Sequence, residues 1–175
     1  MDMPDQPGRI RGVLDRELTI LRDNILRIST MVESAIERAV LALKDQNVDL
    51  ARQVIADDEA INALRFGVEE HCYRLLALQQ PTARDLRVIV TAIHIVVELE
   101  RIGDHAAGIA KIAVELAKEP LLKPLIDIPR MAEIGRDMMR AGLDAYLNWN
   151  AEQARRTVER DTEIDHLNDQ IYREL

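Results

Sequence analysis

The sequence contains very few cysteines and aromatic residues. Cys72 is the only cysteine among 175 residues, so the chain cannot form an intrachain disulfide, and a reducing compartment suits it. One Trp, three Tyr and one Phe make up only 3% of the chain. The core must therefore be aliphatic, and the chain offers no aromatic platform on which nucleic-acid bases could stack.

Long apolar runs and an excess of positive charge are also missing. The most apolar run, Val88–Val97, contains His94 and is far shorter than the roughly 20 residues that span a bilayer. The first eight residues lack the apolar segment of a signal peptide. The net charge of −8 argues against binding nucleic acid through a broad basic face. We therefore expect a cytoplasmic protein that does not bind nucleic acid.

The chain does contain apolar residues spaced alternately by three and four, which is typical of helices packed in a bundle. The first seam is Leu14, Leu18, Leu21, Ile25, Ile28, Val32, Ala35, Ala39 and Ala42. The pattern predicts an all-α fold with five helices, over about 12–46, 47–78, 82–117, 130–148 and 150 to the end. We expect a disordered tail at 1–11, a three-helix bundle at 12–118, a proline-rich linker at 119–129 and two further helices at 130–175.

Several local signals set the helix ends and identify packing residues. Asn47 and Asn150 are suited to be N-caps, and Thr82-Ala83-Arg84-Asp85 resembles a capping box with Asp in place of Glu. His71 and Cys72 are adjacent, so on a helix they diverge by about 100° and one metal ion is poorly placed to bind both. We predict that both are packing residues.

An internal repeat becomes visible when the chain is shifted by 103 residues. The shift pairs identical residues, among them Ala42 with Ala145, Asn47 with Asn150, Asp58 with Asp161, Ile61 with Ile164 and Leu64 with Leu167. It also pairs Asn62 with Asp165, so the second repeat has Asp161 and Asp165 four residues apart. The shift carries Glu100 and Asp104 to positions beyond Leu175, which predicts a second repeat without its third helix.

Two carboxylates interrupt an otherwise apolar helix face. Glu100 and Asp104 lie four residues apart and share a face that upstream contains Ile89, Ile93 and Val96. The face could be a solvated bundle end or make a salt bridge to a neighbouring helix, and it could instead be half of a carboxylate-rich cation site. A parallel polar stripe is most simply interpreted as solvated; it consists of Asp58, Asn62, Arg65 and Glu69.

Four stretches occur in a fixed order and together resemble the PhoU family of bacterial phosphate-uptake regulators. They are Ile55-Ala56-Asp57-Asp58-Glu59-Ala60-Ile61, Arg74-Leu75-Leu76-Ala77-Leu78-Gln79-Gln80-Pro81, Ala83-Arg84-Asp85-Leu86-Arg87 and Glu98-Leu99-Glu100-Arg101-Ile102-Gly103-Asp104-His105-Ala106. The resemblance runs from about Arg11 to the end of the chain. It departs from the family pattern at Asn62, where an acidic residue is usual, and in the incomplete second repeat.

The resemblance implies tandem three-helix bundles that bind metal ions on their acidic faces. The residues implied here are Glu100, Asp104, Asp58 and Asp57 in the first repeat, and Asp161 with Asp165 in the second. Carboxylate ligands favour a hard di- or trivalent cation such as Fe, Mn or Mg. The resemblance also implies an adaptor that links the phosphate ABC importer to a phosphate-sensing histidine kinase, represses the kinase when phosphate is plentiful, and meets the membrane only through these partners.

Two other functions remain open from the residues alone. A di-metal carboxylate enzyme would use Glu-x-x-His pairs from facing helices, but Glu100 precedes His105 by five residues and Glu98 precedes it by seven. A purely structural scaffold would have an acidic stripe that is merely solvated. We favour the non-enzymatic regulator over both.

We also expect a homodimer or a higher oligomer. The last two predicted helices carry an apolar seam that a third helix would partly cover, and a second copy could cover it instead. The seam is Met131, Met138, Ala145, Trp149, Ile164, Leu167 and Ile171.

Overall fold

A computed structural model of the chain describes the backbone of residues 7–174 and the side chains of residues 12–174. The expected all-α class is confirmed, since no strand occurs over residues 7–174. None of the helices in this range is long and apolar enough to cross a membrane. The helices are α1 (Pro7–Lys44), α2 (Val48–Leu78), α3 (Ala83–Leu116), α4 (Asp127–Leu147), α5 (Ala151–Glu159) and α6 (Asp161–Glu174).

The prediction of five helices was wrong, because residues 151–174 form two helices rather than one. At Arg160 the backbone N–H bonds to the carbonyl of Thr157, three residues back, at 3.2 Å. The Thr162 hydroxyl donates to the carbonyl of Glu159 at 2.9 Å. Tighter backbone bonding and a side chain that competes for a carbonyl both interrupt the α-helical hydrogen-bond series.

Two helices also begin earlier than expected. Helix α1 starts at Pro7 instead of about 12, so only residues 1–6 of the expected disordered tail lie outside the described backbone. Helix α4 starts at Asp127, which places Pro129 inside its first turn. Proline is tolerated there because the first N–H groups of a helix have no intrahelical acceptor.

The chain divides into two compact units. Unit 1 contains the chain up to Val32 together with Asp57–His105, and unit 2 contains Glu33–Ala56 together with the chain from Ala106 onward. The core of unit 1 is built from large aliphatic side chains, including Leu21, Ile25, Ile28, Ile61, Val68, Ile89 and Val96. The core of unit 2 is rich in alanine: Ala35, Ala39, Ala42, Ala51, Ala106, Ala107, Ala110, Ala113 and Ala145 are buried. Small side chains allow helix axes to approach closely.

The two predicted asparagine caps are confirmed, and the corners before them have the same geometry. The Asn47 side chain accepts a hydrogen bond from the N–H of Leu50 at 3.0 Å, and that of Asn150 accepts from Gln153 at 3.0 Å. The backbone N–H of each asparagine bonds five residues back, to Ala42 at 2.9 Å and to Ala145 at 2.8 Å. The repeat predicts this match, since both pairs are related by the shift of 103.

Each corner also contains a residue in the left-handed conformation just before the asparagine. These residues are Gln46 (φ 50°) and Trp149 (φ 56°), at the position where helix-ending motifs usually place glycine. A non-glycine residue in this conformation costs roughly 1 kcal/mol. The strain is therefore repeated at equivalent positions, as the backbone hydrogen bonds are.

Helix α3 begins at a modified capping box. The Thr82 carbonyl accepts from the N–H of Leu86 at 2.8 Å, and the Thr82 hydroxyl donates to the carboxylate of Asp85 at 2.7 Å. Asp85 is 4% exposed. A buried carboxylate is tolerated there because it is hydrogen-bonded and lies near the positive end of the helix dipole.

His71 and Cys72 are packing residues, as predicted. Both side chains are buried in unit 1, and His71 Nε2 lies 2.6 Å from Glu17 Oε2 of α1. Burial, with a smaller contribution from the nearby Glu69 carboxylate, raises the pKa of the Cys72 thiol to about 11. The thiol therefore stays protonated and unreactive at neutral pH.

The apolar seam of the last helices is partly covered within the chain. Helix α4 packs against α5 and α6, and Ala145 and Leu167 are buried there. Trp149 is 61% exposed, whereas Met131, Met138, Ile164 and Ile171 are half-buried. The oligomeric state itself stays a prediction.

Gln46 yields a stability prediction, because its side-chain amide holds the start of the linker. Gln46 Nε2 donates to the carbonyls of Leu116 at 3.1 Å and Glu119 at 2.6 Å. We expect Gln46→Ala to lower the free energy of unfolding by about 1–2 kcal/mol, since it removes both bonds and keeps the backbone strain. Gln46→Gly should lose about 1 kcal/mol less, because glycine relieves that strain. Urea unfolding followed by circular dichroism measures both, and equal losses for the two variants would contradict the assignment of strain to residue 46.

Candidate functional site

The acidic face of α3 lies in unit 1. Glu100 is half-buried and Asp104 is exposed. Neither side chain makes an ion pair or a hydrogen bond with any described residue, so the salt bridge considered from the sequence is not formed there. Two like charges four residues apart on a helix repel each other by a few tenths of a kcal/mol. The face is therefore an uncompensated pair of carboxylates beside an apolar helix surface.

Helix α2 brings a third carboxylate to the same level of α3. A Cβ built on Gly103 would lie 3.7 Å from Oδ1 of Asp58, and only 3.2 Å from Cδ1 of Ile61. Residue 103 has no side chain, so the Asp58 carboxylate can lie close to the backbone of α3. Gly103 itself is part of the acidic motif, since it lies between Glu100 and Asp104 in the sequence. Asp58 therefore lies near the α3 motif, as the resemblance implies.

Asn62 occupies the position at which the family pattern has an acidic residue, and it contacts Asp58. Its side-chain amide donates to Oδ2 of Asp58 at 3.1 Å and to the carbonyl of Asp58 at 3.3 Å. A second carboxylate at residue 62 would instead repel Asp58 unless a cation lay between them. The amide therefore stabilises the Asp58 charge without a metal ion.

The interpretation of the α2 polar stripe as solvated was wrong for Arg65 and Glu69. Their side chains are 20% and 13% exposed and form an ion pair at 3.3 Å. Asp58 and Asn62 are half-buried as well. The periodicity of the sequence could not reveal this burial, because it depends on where the neighbouring helix lies.

The remaining predicted ligands do not join this cluster. Asp57 is exposed on α2. Asp161 and Asp165 are exposed on α6 in unit 2, and Asp161 belongs to the first helical turn, where the helix dipole alone favours an acidic residue.

The carboxylates fit the chemistry of a hard cation but do not converge in the described structure. Within residues 7–174 no group of three or more His, Cys, Asp or Glu side chains is arranged to hold a metal ion. Carboxylate oxygens are the ligands that Mg²⁺, Mn²⁺ and iron accept in such sites. The metal ligands named from the sequence therefore stay a prediction, and side-chain movement at Glu100 and Asp104 would be needed to bring them to Asp58.

Comparisons with known proteins agree with the sequence motifs. A family model described as the PhoU domain matches residues 25–113 and 128–175. The chain is 39% identical over 162 residues to a phosphate-specific transport system accessory protein PhoU homolog of Aquifex aeolicus, covering 93% of this chain and 73% of that protein. It is 31% identical over 175 residues to the Escherichia coli phosphate-specific transport system accessory protein PhoU, covering 100% of this chain and 73% of that protein.

Solved structures show the same fold. The crystal structure of PhoU from Pseudomonas aeruginosa matches with a TM-score of 0.85 and 32% identity, over 91% of this chain and 77% of that one. PhoU from Streptococcus pneumoniae, a phosphate transport system regulatory protein, matches with a TM-score of 0.84 and 31% identity, over 92% and 76% of the two chains.

Asn62→Asp tests whether the amide compensates for the charge of Asp58. In the presence of EDTA we expect this variant to lower the free energy of unfolding by about 1–2 kcal/mol, because a half-buried hydrogen bond is replaced by charge repulsion. Asn148→Asp is the control, since Asn148 Nδ2, at the exposed C-terminal end of α4, donates to Asp144 Oδ1 at 2.7 Å and to the Asp144 carbonyl at 3.0 Å.

Solvent screening should keep the loss for the Asn148→Asp control below about 0.5 kcal/mol. Urea denaturation of both variants gives the comparison. If both variants lose the same free energy, the amide at residue 62 has no special role at the acidic face.

Proposed function

This chain belongs to the PhoU family, and we propose that it is a cytoplasmic, metal-binding regulator of phosphate uptake and phosphate-starvation signalling. The observation that carries the proposal is the match over nearly the whole chain to proteins named as accessory components of the phosphate-specific transport system. In this role the protein would contact the phosphate ABC importer and a phosphate-sensing histidine kinase. It would hold the kinase in its repressing state when phosphate is plentiful.

A non-enzymatic role fits both the relatives and the residues of the acidic face. The relatives are named as accessory and regulatory proteins. A di-iron or di-manganese enzyme of the helical-bundle type would need Glu-x-x-His pairs, and the sequence of α3 does not contain one. We therefore assign the carboxylates of α3 to binding rather than catalysis.

We further propose that Glu100, Asp104 and Asp58, with Asp57 beside them, bind a hard cation such as Fe, Mn or Mg. The absence of an ion pair or hydrogen bond from Glu100 or Asp104 to a described residue, and the proximity of Asp58 to Gly103, support this part. Asp161 and Asp165 would provide a second, weaker site, since both are exposed and exposed carboxylates bind cations in competition with water.

Self-association is also part of the proposal. Leu86 and Val90 are 42% and 39% exposed, lie four residues apart on α3 and continue into half-buried Ile93 and Val97. An exposed apolar stripe of this kind is common at contacts between copies. Light scattering against the chain mass of 19.9 kDa tests it.

The regulatory role predicts a clear phenotype. Deleting the gene should derepress phosphate-starvation genes in phosphate-rich medium, because the kinase is no longer held in its repressing state. A reporter fused to a phosphate-starvation promoter measures this, and an affinity-tagged chain should co-purify with the importer or the kinase. Normal repression in the deletion strain would refute the role.

The proposed cation site predicts that substituting its carboxylates lowers the amount of bound metal. Glu100→Ala with Asp104→Ala should reduce the iron and manganese that co-purify with the protein, as measured by elemental analysis, because it removes two of the carboxylates proposed as ligands. Glu98→Ala is the control, since Glu98 lies on another face of α3 and pairs with Arg101 at 2.9 Å. Equal metal content in the double variant and the unmodified protein would show that Glu100 and Asp104 are not metal ligands.

A further inference from the structure

Helix α2 carries an exposed apolar face in unit 1. Phe66 and Tyr73 lie seven residues apart, which is two turns along one side of a helix, and their side chains are 60% and 57% exposed. Ala60, Ala63 and Gly67 lie on the same side and are exposed as well. We call these five residues the aromatic face of α2. A chain with one Phe and three Tyr thus leaves two of its few aromatic side chains in water, which is typical of contact surfaces.

The Phe66 ring is held in place at the surface. Arg65 Cζ lies 4.5 Å from the ring centroid, and the Arg65 guanidinium is itself paired with Glu69 at 3.3 Å. A side chain that is already ordered loses less conformational entropy on binding. Beside the ring, a Cβ built on Gly67 would have no described atom within 4 Å. Packing among the described residues therefore does not require this glycine, which destabilises a helix interior but permits a second backbone to approach closely.

The internal repeat separates the aromatic face from the faces that pack within a repeat. In the first repeat the third helix, α3, packs on the other side of α2, where it meets Ile61 at Gly103. The shift of 103 relates the middle of the aromatic face to exposed polar residues of α6, namely His166, Asp169 and Gln170. The apolar character of this face is therefore specific to the first repeat. It is not the face that a third helix covers.

The charges at the ends of the aromatic face make it complementary to itself. Glu59 and Arg74 are exposed there, and neither makes an ion pair or a hydrogen bond with a described residue. The centre of the face lies between Phe66 and Gly67. A two-fold axis at this point, relating two antiparallel helices, puts Glu59 of each copy level with Arg74 of the other. An axis at Glu70 would instead bring two like charges together, which disfavours that register.

We propose that the aromatic face of α2 binds the same face of a second copy of this chain, antiparallel, about a two-fold axis between Phe66 and Gly67. The two Phe66 rings then lie next to each other, and such aromatic pairs are stabilising. Two symmetric Glu59–Arg74 pairs fix the direction of the helices. A contact made by one pair of helices is at the small end of specific interfaces, so we expect a dissociation constant in the micromolar range. This inference rests on the self-association proposed above and gives it a contact separate from the exposed stripe of α3.

Exchanging the two charges tests the antiparallel pairing. Glu59→Arg should weaken self-association about three- to tenfold, because two attractive pairs become repulsive, and Arg74→Glu should do the same. An equal mixture of the two variants should associate about as tightly as the unmodified chain, because each variant supplies the charge that the other lacks. Sedimentation velocity at roughly 1–100 µM measures the mass against the 19.9 kDa of one chain.

A cysteine beside the axis tests the register. Gly67→Cys should give a disulfide-linked dimer on oxidation with copper phenanthroline, because residues 67 of the two copies would lie side by side, as a disulfide requires. Ala63→Cys is the matched control, since Ala63 is also exposed but its two copies would lie seven residues apart along the helix, about 10 Å. Non-reducing gel electrophoresis detects the product, and the unmodified chain shows any contribution from the buried Cys72.

A third substitution tests the aromatic contact. Phe66→Asp should weaken self-association about tenfold or more without loss of folding, because the Phe66 side chain is 60% exposed. Val158→Asp is the control, since Val158 is 71% exposed on α5 and lies outside the aromatic face. Circular dichroism verifies the helices of both variants.

The outcomes separate this proposal from its alternatives. Weaker association of both charge variants, its recovery in their mixture, and cross-linking at residue 67 but not at residue 63 support it. No recovery in the mixture, or equal cross-linking at the two positions, overturns it. A dimer that Leu86→Asp disrupts and Phe66→Asp does not also overturns it, but leaves self-association through α3 standing. A monomer at all concentrations overturns both contacts, and the deletion strain still tests the regulatory role separately.

Discussion

In unit 1, helix α3 lies against α2 at Gly103, which has no side chain. A Cβ at position 103 would lie 3.2 Å from Cδ1 of Ile61 and 3.7 Å from Oδ1 of Asp58. Glycine inside a helix costs about 1 kcal/mol, but here it permits full burial of Ile61, which is worth a larger amount. The same close approach puts the Asp58 carboxylate beside the α3 motif. The acidic face therefore depends on a packing constraint rather than on the carboxylates themselves.

Asn62 shows how such a face can persist without a cation. Its amide donates to Oδ2 and to the backbone carbonyl of Asp58, so one oxygen of this carboxylate accepts a hydrogen bond from a neutral neighbour on the same helix. The related pair in unit 2, Asp161 and Asp165, has two carboxylates and no such donor, but both are exposed. Water can solvate the two exposed carboxylates of unit 2, whereas the half-buried Asp58 carboxylate relies on a hydrogen-bond donor or a cation. Asn62 provides such a donor and at the same time avoids a second charge beside Asp58.

Unit 2 combines an alanine-rich core with exposed apolar side chains in the linker before α4. Its alanine-rich core packs helices closely, yet Ile164 and Ile171 are only half-buried and the linker exposes Leu122 and Ile126. The acidic face of unit 1 is thus distinguished by its charge, and the linker region of unit 2 by its exposed apolar side chains.

The helical class, the positions of the asparagine caps and the packing roles of His71 and Cys72 could be predicted from the sequence alone, because apolar periodicity and capping are set by residues within one or two turns. The sequence also indicated the repeat, since Asn47 and Asn150 end equivalent corners through the same hydrogen bonds. The break of the last helix at Arg160 was not predicted, although local hydrogen bonds at Thr157 and Thr162 produce it. The burial of Arg65 and Glu69, and the position of Asp58 rather than Asp57 next to α3, became visible only in the folded chain. Those features depend on where a neighbouring helix lies, and contacts between residues far apart in the chain leave no periodic signal in the sequence.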